Sequence, residues 1–198
     1  MKRMRWSKMS AGWNPDEISF RQLSEPDLPL MHRWVNTPHV SKWWKIDGKR
    51  NPDYGEVVTH YTPRIQGKSP TKSYIFSLNN KLIGYIQFVK IDEEPEYAKV
   101  LEAERNTGGI DIFIGEEEFL NKGLGTEILI KFLKDIAFPV FQVDRCIIDP
   151  EPENKAAIRA YEKAGFKYAR TYWNPVEKVW AYLMIIKKDA ANQQPVIL

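Results

Sequence analysis

Ile110-Asp111-Ile112-Phe113-Ile114-Gly115-Glu116-Glu117-Glu118-Phe119-Leu120-Asn121-Lys122-Gly123-Leu124-Gly125-Thr126 is the stretch from which the rest of the chain is best read. Ile110, Ile112 and Ile114 alternate with Asp111 and Phe113, the two-residue period of a strand entered through Gly108-Gly109. Beyond Thr126, Ile128, Leu129, Phe132, Leu133 and Ile136 recur at helical spacing. The passage therefore reads as strand, short loop, two glycines one residue apart, helix. Glycines let backbone N–H groups approach and point at a ligand, and a helix start adds partial positive charge, so the loop suits a pyrophosphate. The Lys122 side chain and the Thr126 hydroxyl are candidate further contacts. A glycine pair before a helix is also an ordinary tight connection, and at this point both readings stand.

A second passage lies downstream, Asp149-Pro150-Glu151-Pro152-Glu153-Asn154-Lys155-Ala156-Ala157-Ile158-Arg159-Ala160-Tyr161-Glu162-Lys163-Ala164-Gly165-Phe166. Arg145 to Ile148 reads as a strand stopped at Asp149-Pro150. Asn154 caps a helix through Ile158, Tyr161 and Ala164, and Gly165 ends it. Strands at Phe166 to Trp173 and Val179 to Ile186 follow. Upstream, Ile18 to Leu23 reads as a strand and Ser24-Glu25-Pro26-Asp27 as a helix start. A helix carrying Leu30, Met31, Trp34 and Val35 breaks at Asn36-Thr37-Pro38, a short helix runs through Val40, Trp43 and Trp44, and Tyr54 to Ile65 is helical. Tyr74 to Leu78 and Leu82 to Val89 form a hairpin turned by Asn79-Asn80, a pair that tolerates positive φ.

The 198 residues are 43% hydrophobic and 28% charged, a globular profile with one substantial core. Residues 1–15 are expected to form a basic flexible arm, 16–188 one domain and 189–198 a tail. The net charge of +3 and pI near 8.8 are too mild for a chain that lives on nucleic acid. Acids crowd Asp92 to Glu104 and Glu116 to Glu118, either as solvated faces or as a rim that draws a cationic substrate. Cys146 stands alone and is read as packing; His32, His39 and His60 lack metal-ligand spacing, so no metal is expected. The basic start, Met1-Lys2-Arg3-Met4-Arg5-Trp6, lacks the apolar run of a signal peptide, and Trp180 to Ile186 is too short for a membrane span. A cytoplasmic, soluble protein with no membrane or nucleic-acid partner is the expectation.

The two passages together resemble the GNAT superfamily of acyl-CoA N-acyltransferases, a resemblance covering roughly Ile18 to Lys187. Within it the chain is most similar to aminoglycoside 6′-N-acetyltransferases and to siderophore-pathway acyltransferases acting on lysine or hydroxylysine. The marks are Trp34-Val35-Asn36-Thr37-Pro38-His39-Val40 with Trp43-Trp44, Gly84-Tyr85-Ile86-Gln87, Gly109-Ile110-Asp111, Lys122 to Thr126 and Tyr161 to Phe166. One departure is Leu120, where the family's phosphate loop usually opens with Arg or Gln. The resemblance implies an α/β fold with a mixed central sheet of six to seven strands flanked by helices, acetyl-CoA as cosubstrate, and a small-molecule amine that attacks the thioester directly. It leaves monomer or homodimer open.

What the resemblance implies residue by residue is as follows. Asp111 lies beside the reacting amine, as proton acceptor or ammonium anchor, although a carboxylate of ordinary pKa is a weak base; a solvent-facing strand aspartate is the plain alternative. Tyr161 lies near the coenzyme sulfur as donor to the departing thiolate, or is a core aromatic. Ile112, Ile114, Lys122, Gly123, Leu124, Gly125, Thr126 and Asn154 bind the cofactor, Asn154 capping its helix as well. Trp43, Trp44, Glu96 and Asp149 meet the substrate, unless the tryptophans are packing and Asp149 a turn residue. His39 is read as a capping or core group. An aminoglycoside 6′-type acetyltransferase is the first reading, since siderophore-type relatives tend to carry histidine where Asp111 stands. Acylation of lysine or N6-hydroxylysine, a non-catalytic acyl-CoA-binding regulator, and acetylation of a protein N-terminus are the alternatives.

Overall fold

The computed structural model describes residues 13–189. The expected arm and tail lie almost wholly outside the described residues. Seven strands form one sheet: β1 Ile18–Gln22, β2 Lys72–Leu78, β3 Lys81–Lys90, β4 Thr107–Ile114, β5 Arg145–Ile148, β6 Lys167–Asn174 and β7 Val179–Lys187. Their order is β1-β2-β3-β4-β5-β7-β6, and every neighbouring pair is antiparallel except β4 with β5. The β2–β3 turn is the one expected, with Asn79 and Asn80 at φ 49° and 64° as a tight hairpin requires. Gly84 in β3 is a close approach: a Cβ there would sit 2.3 Å from the Phe76 ring.

The parallel pair creates the site. Thr107, Gly108 and Gly109 pair with Arg145, Cys146 and Ile147; β5 then ends at Ile148, before Pro150, while β4 continues to Ile114. Proline has no N–H to extend the ladder. The sheet therefore splays between the two strands, and among the described residues no strand pairs with β4 beyond Gly109 on that side.

Helices cover both faces. On one, α1 Leu28–Val35, α2 Pro38–Ser41 and α3 Tyr54–Ile65 bury Trp34, Tyr61, Tyr85 and Phe113. On the other, α5 Leu124–Phe132 and α7 Lys155–Lys163 bury Ile110, Phe132, Tyr161 and Phe166. The helix read as running past Ile136 is interrupted. A π-helical turn, Leu133–Ala137, leads into α6, Phe138–Phe141, whose Pro139 supplies no N–H and crowds the carbonyl four residues back. Trp43 and Trp44, expected on a helix, fall in the turn after α2. The acidic stretch contains α4, Pro95–Leu101, which packs Leu101 and Tyr97 over Leu183 and Tyr172. Among the described residues no helix is long and apolar enough to cross a membrane.

Candidate active site

The splay opens a cavity of about 440 Å³. Ile112 and Ile114 of β4, Gly123 to Thr126 at the start of α5, Asn154 and Tyr161 of α7, and Trp43 and Trp44 after α2 all line it. Gly123 adopts φ 75°, a left-handed conformation that glycine takes at no steric cost. In the first turn of α5 the Thr126 N–H donates to the Gly123 carbonyl at 3.2 Å, whereas helix geometry gives the amides before it no intrahelical acceptor. An extended arm of amides can pair with the unpaired edge of β4 while its diphosphate meets those first-turn amides, so these residues fit acetyl-CoA.

Each predicted cofactor residue has its own place. Asn154 caps α7 by accepting from the Ala157 N–H at 3.2 Å and also lines the cavity, so both of its expected roles are compatible. Leu124 is a core side chain that can offer only its backbone. Lys122 is exposed, and its carbonyl accepts from the Trp13 indole N–H at 3.1 Å. Thr126 lines the cavity, and its hydroxyl donates to the Ala160 carbonyl at 3.1 Å, tying α5 to α7. Leu120 reaches the cavity where the usual basic residue is missing, and Arg159 and Lys163, one turn apart on α7, line it too.

On the other face of β4, Asp111 points away from Ile110 and Ile112. It stands in register with Gln87 of β3, whose amide N–H donates to Asp111 Oδ2 at 2.8 Å. Gln87 Oε1 accepts from Arg64 at 2.8 Å and from the Tyr85 hydroxyl at 2.9 Å. Guanidinium only donates, which fixes the orientation of the amide. With Tyr85 donating to Gln87, Ser73 Oγ must donate to Tyr85 at 2.7 Å, and the chain has one consistent polarity. Burial raises the pKa of Asp111 above the usual carboxylate range, while Gln87 and the charge of Arg64 pull it back.

Asp149, at the end of β5, accepts on Oδ2 from the Tyr97 hydroxyl at 2.8 Å and the Tyr172 hydroxyl at 2.5 Å. Burial first, then the charge of Asp111, push its pKa up to about 6; the two phenols oppose this. Tyr161 feels both acids. Burial and the fields of Asp111 and Asp149 raise its pKa, keeping it a neutral phenol that lines the cavity.

The walls are aromatic. Trp44 meets Phe113 edge-on at 4.8 Å and Tyr85 at 5.7 Å, and its buried Nε1 makes no hydrogen bond of ordinary geometry among the described residues; Trp43 lines the cavity beside it. His39 Nε2 donates to the Ile114 carbonyl at 3.0 Å, which holds α2 against the end of β4. Glu96 is not brought to the acids. It is 87% exposed and paired with Lys99, while its neighbour Tyr97 turns inward. Arg64, Tyr172, Arg159 and Lys163 were not singled out from sequence. Tyr85 and Gln87 were seen only as a motif, although their alternation on a strand places them on one face.

A family model described as "Acetyltransferase (GNAT) domain" matches residues 24–172. Aminoglycoside N(6′)-acetyltransferase type 1 of Klebsiella pneumoniae is 33% identical over 161 residues, 81% of this chain and 79% of that protein. The solved structure of AAC(6′)-Ib with ribostamycin and coenzyme A superposes with a TM-score of 0.81 at 29% identity, covering 90% of this chain and 98% of that one. Lysine N-acyltransferase MbtK of Mycolicibacterium paratuberculosis is 23% identical over 142 residues, 72% of this chain and 62% of that protein.

Proposed function

Since the chain belongs to the GNAT acetyltransferase family and is an N-acetyltransferase that takes its acyl group from acetyl-CoA, we propose that its acceptor is an amine of an aminoglycoside, at the 6′ position. One observation carries this reading: the two buried carboxylates, Asp111 and Asp149, of which Asp111 lies near enough to raise the pKa of Asp149, and neither of which has an ion-pair partner among the described residues. Such a pair is costly until a polycation occupies it. An aminoglycoside brings several ammonium groups. Lysine brings one side-chain ammonium together with a carboxylate, which two acids repel.

In this reading Asp111, whose carboxylate form the Gln87 hydrogen bond favours, anchors the substrate and accepts a proton as the amine becomes nucleophilic. Nitrogen bonds to the thioester carbon, the C–S bond breaks and the thiolate takes a proton from Tyr161; the proton that the nitrogen sheds on becoming an amide passes to solvent, which reprotonates Tyr161. Trp43, Trp44 and Phe113 wall the acceptor from water. The amides of Gly123 to Gly125 take the diphosphate, and Arg159 and Lys163 supply the positive charge that Leu120 does not. Thiol release is followed with acetyl-CoA and kanamycin, lysine or N6-hydroxylysine in turn. Kanamycin is expected to give the highest kcat/KM. Preference for either lysine compound makes the siderophore-precursor reading correct, and acetyl-CoA binding without turnover of any amine makes the chain a regulator.

A further inference from the structure

The loop that opens α5 is held from outside the cavity by the segment before β1. The Trp13 indole N–H donates to the Lys122 carbonyl at 3.1 Å, and its ring lies 6.3 Å from that of Phe119. This segment is itself anchored. The Glu17 carbonyl accepts from the Asn79 N–H at 3.0 Å, and Glu17 Oε2 from the Asn79 side-chain amide at 3.1 Å. Phe119 is braced a second time by the Lys81 ammonium, 5.4 Å from its ring centre. Trp13 is therefore a rigid reach from the β2–β3 turn to one peptide group.

The identity of that peptide group matters. In a trans peptide the C=O and the following N–H point in opposite directions, and no cis bond occurs among the described residues. A Lys122 carbonyl drawn toward Trp13 turns the Gly123 N–H away from Trp13. Gly123 lines the cavity and Trp13 does not. The peptide flip that would reverse both groups is easy beside a glycine at φ 75°. A ligand that needs one orientation binds more weakly in proportion to the fraction of chains that have lost it.

We propose that Trp13 is a positioning residue for acetyl-CoA: by holding the Lys122 carbonyl it aims the Gly123 N–H at the cofactor's diphosphate. The inference rests on acetyl-CoA occupying the cavity as described above. It gives residues 13–17 a part in cofactor affinity and none in the chemistry of the thioester.

The test is Trp13→Phe, which keeps a ring against Phe119 and removes only the N–H. Steady-state constants are measured with acetyl-CoA and with S-acetylpantetheine, which carries the same thioester and arm but no diphosphate. One hydrogen bond of ordinary net strength predicts an acetyl-CoA KM raised about threefold to tenfold. The kcat, the amine KM and the kcat/KM for S-acetylpantetheine stay at wild-type values, and the unliganded thermal midpoint moves by no more than about 4 °C. An unchanged acetyl-CoA KM overturns the proposal. So does an equal loss with both thioesters, or a fall in thermal midpoint large enough to explain the kinetics, because each marks Trp13 as packing. A wild-type chain that uses neither thioester overturns the acetyltransferase reading itself, a result distinct from the others.

Discussion

Gln87→Leu removes the amide that donates to Asp111 and leaves β3 an apolar residue of similar size. Burial already holds the Asp111 carboxyl above its usual range, and the Gln87 hydrogen bond is the first of the two influences pulling it down. Without that bond the pKa rises further. Activity that needs the carboxylate is then lost at a higher pH as the solution is acidified, and recovers on the alkaline side. A hydrogen bond to an ionised group is worth about 1.5–3 kcal/mol, and each 1.36 kcal/mol is tenfold. At a fixed pH below the acid limb, kcat/KM should fall about tenfold to a hundredfold. Leucine also strands the Tyr85 hydroxyl and the Arg64 guanidinium that Gln87 Oε1 now satisfies, at a cost in unfolding free energy of about 1–3 kcal/mol. Gln87→Glu separates the two effects. It still accepts from Arg64 and Tyr85, so stability is largely kept, but it sets a like charge against Asp111, so the acid limb still moves to higher pH. The assay is kcat/KM for acetyl transfer between pH 5 and 9, followed by thiol release, with thermal unfolding of each variant. Profiles that superimpose on wild type after scaling by a constant would falsify the claim that Gln87 sets the charge on Asp111.

Three further expectations follow from the same site. Tyr161→Phe should lower kcat about a hundredfold with both KM values unchanged, since the neutral phenol is assigned to the thiolate alone; a normal kcat returns Tyr161 to the core. Asp149 has a folded pKa raised to about 6, so its ionisation works against the fold, and the stability it permits at low pH is lost as pH rises through 6. Asp149→Asn should therefore match wild type in thermal midpoint near pH 4, exceed it by pH 8 and raise the KM for a polycationic amine; a variant less stable at pH 8 contradicts this. Thr126→Val should cost about 1 kcal/mol in urea unfolding while the acetyl-CoA KM stays within about twofold, because the hydroxyl binds Ala160. A large rise in that KM would put the hydroxyl back on the phosphate.

What the linear chain determines by itself is local. Alternation around Asp111, the glycine spacing at 123 and 125, the cap at Asn154 and the paired asparagines at 79 and 80 are each specified within a few residues. Period, capping and positive φ are short-range effects, and β4, α5, α7 and the β2–β3 turn stand where those residues put them. Period and capping place Asp111 on β4 and Tyr161 on α7, while the roles given to them come from the family resemblance. Folding alone decides what spans the sheet. Gln87 meets Asp111 across 24 residues and Tyr97 meets Asp149 across 52, so no spacing rule singles out Tyr97 over the neighbouring Glu96. The acceptor of the Thr126 hydroxyl is hidden from the sequence for the same reason, lying 34 residues away. The early end of β5 opens the cavity only because β4 lies parallel to it and runs on. Charge is the clearest case: an isolated aspartate has an ordinary pKa, and only desolvation together with a second carboxylate brought close by the sheet makes Asp149 a group that titrates near 6.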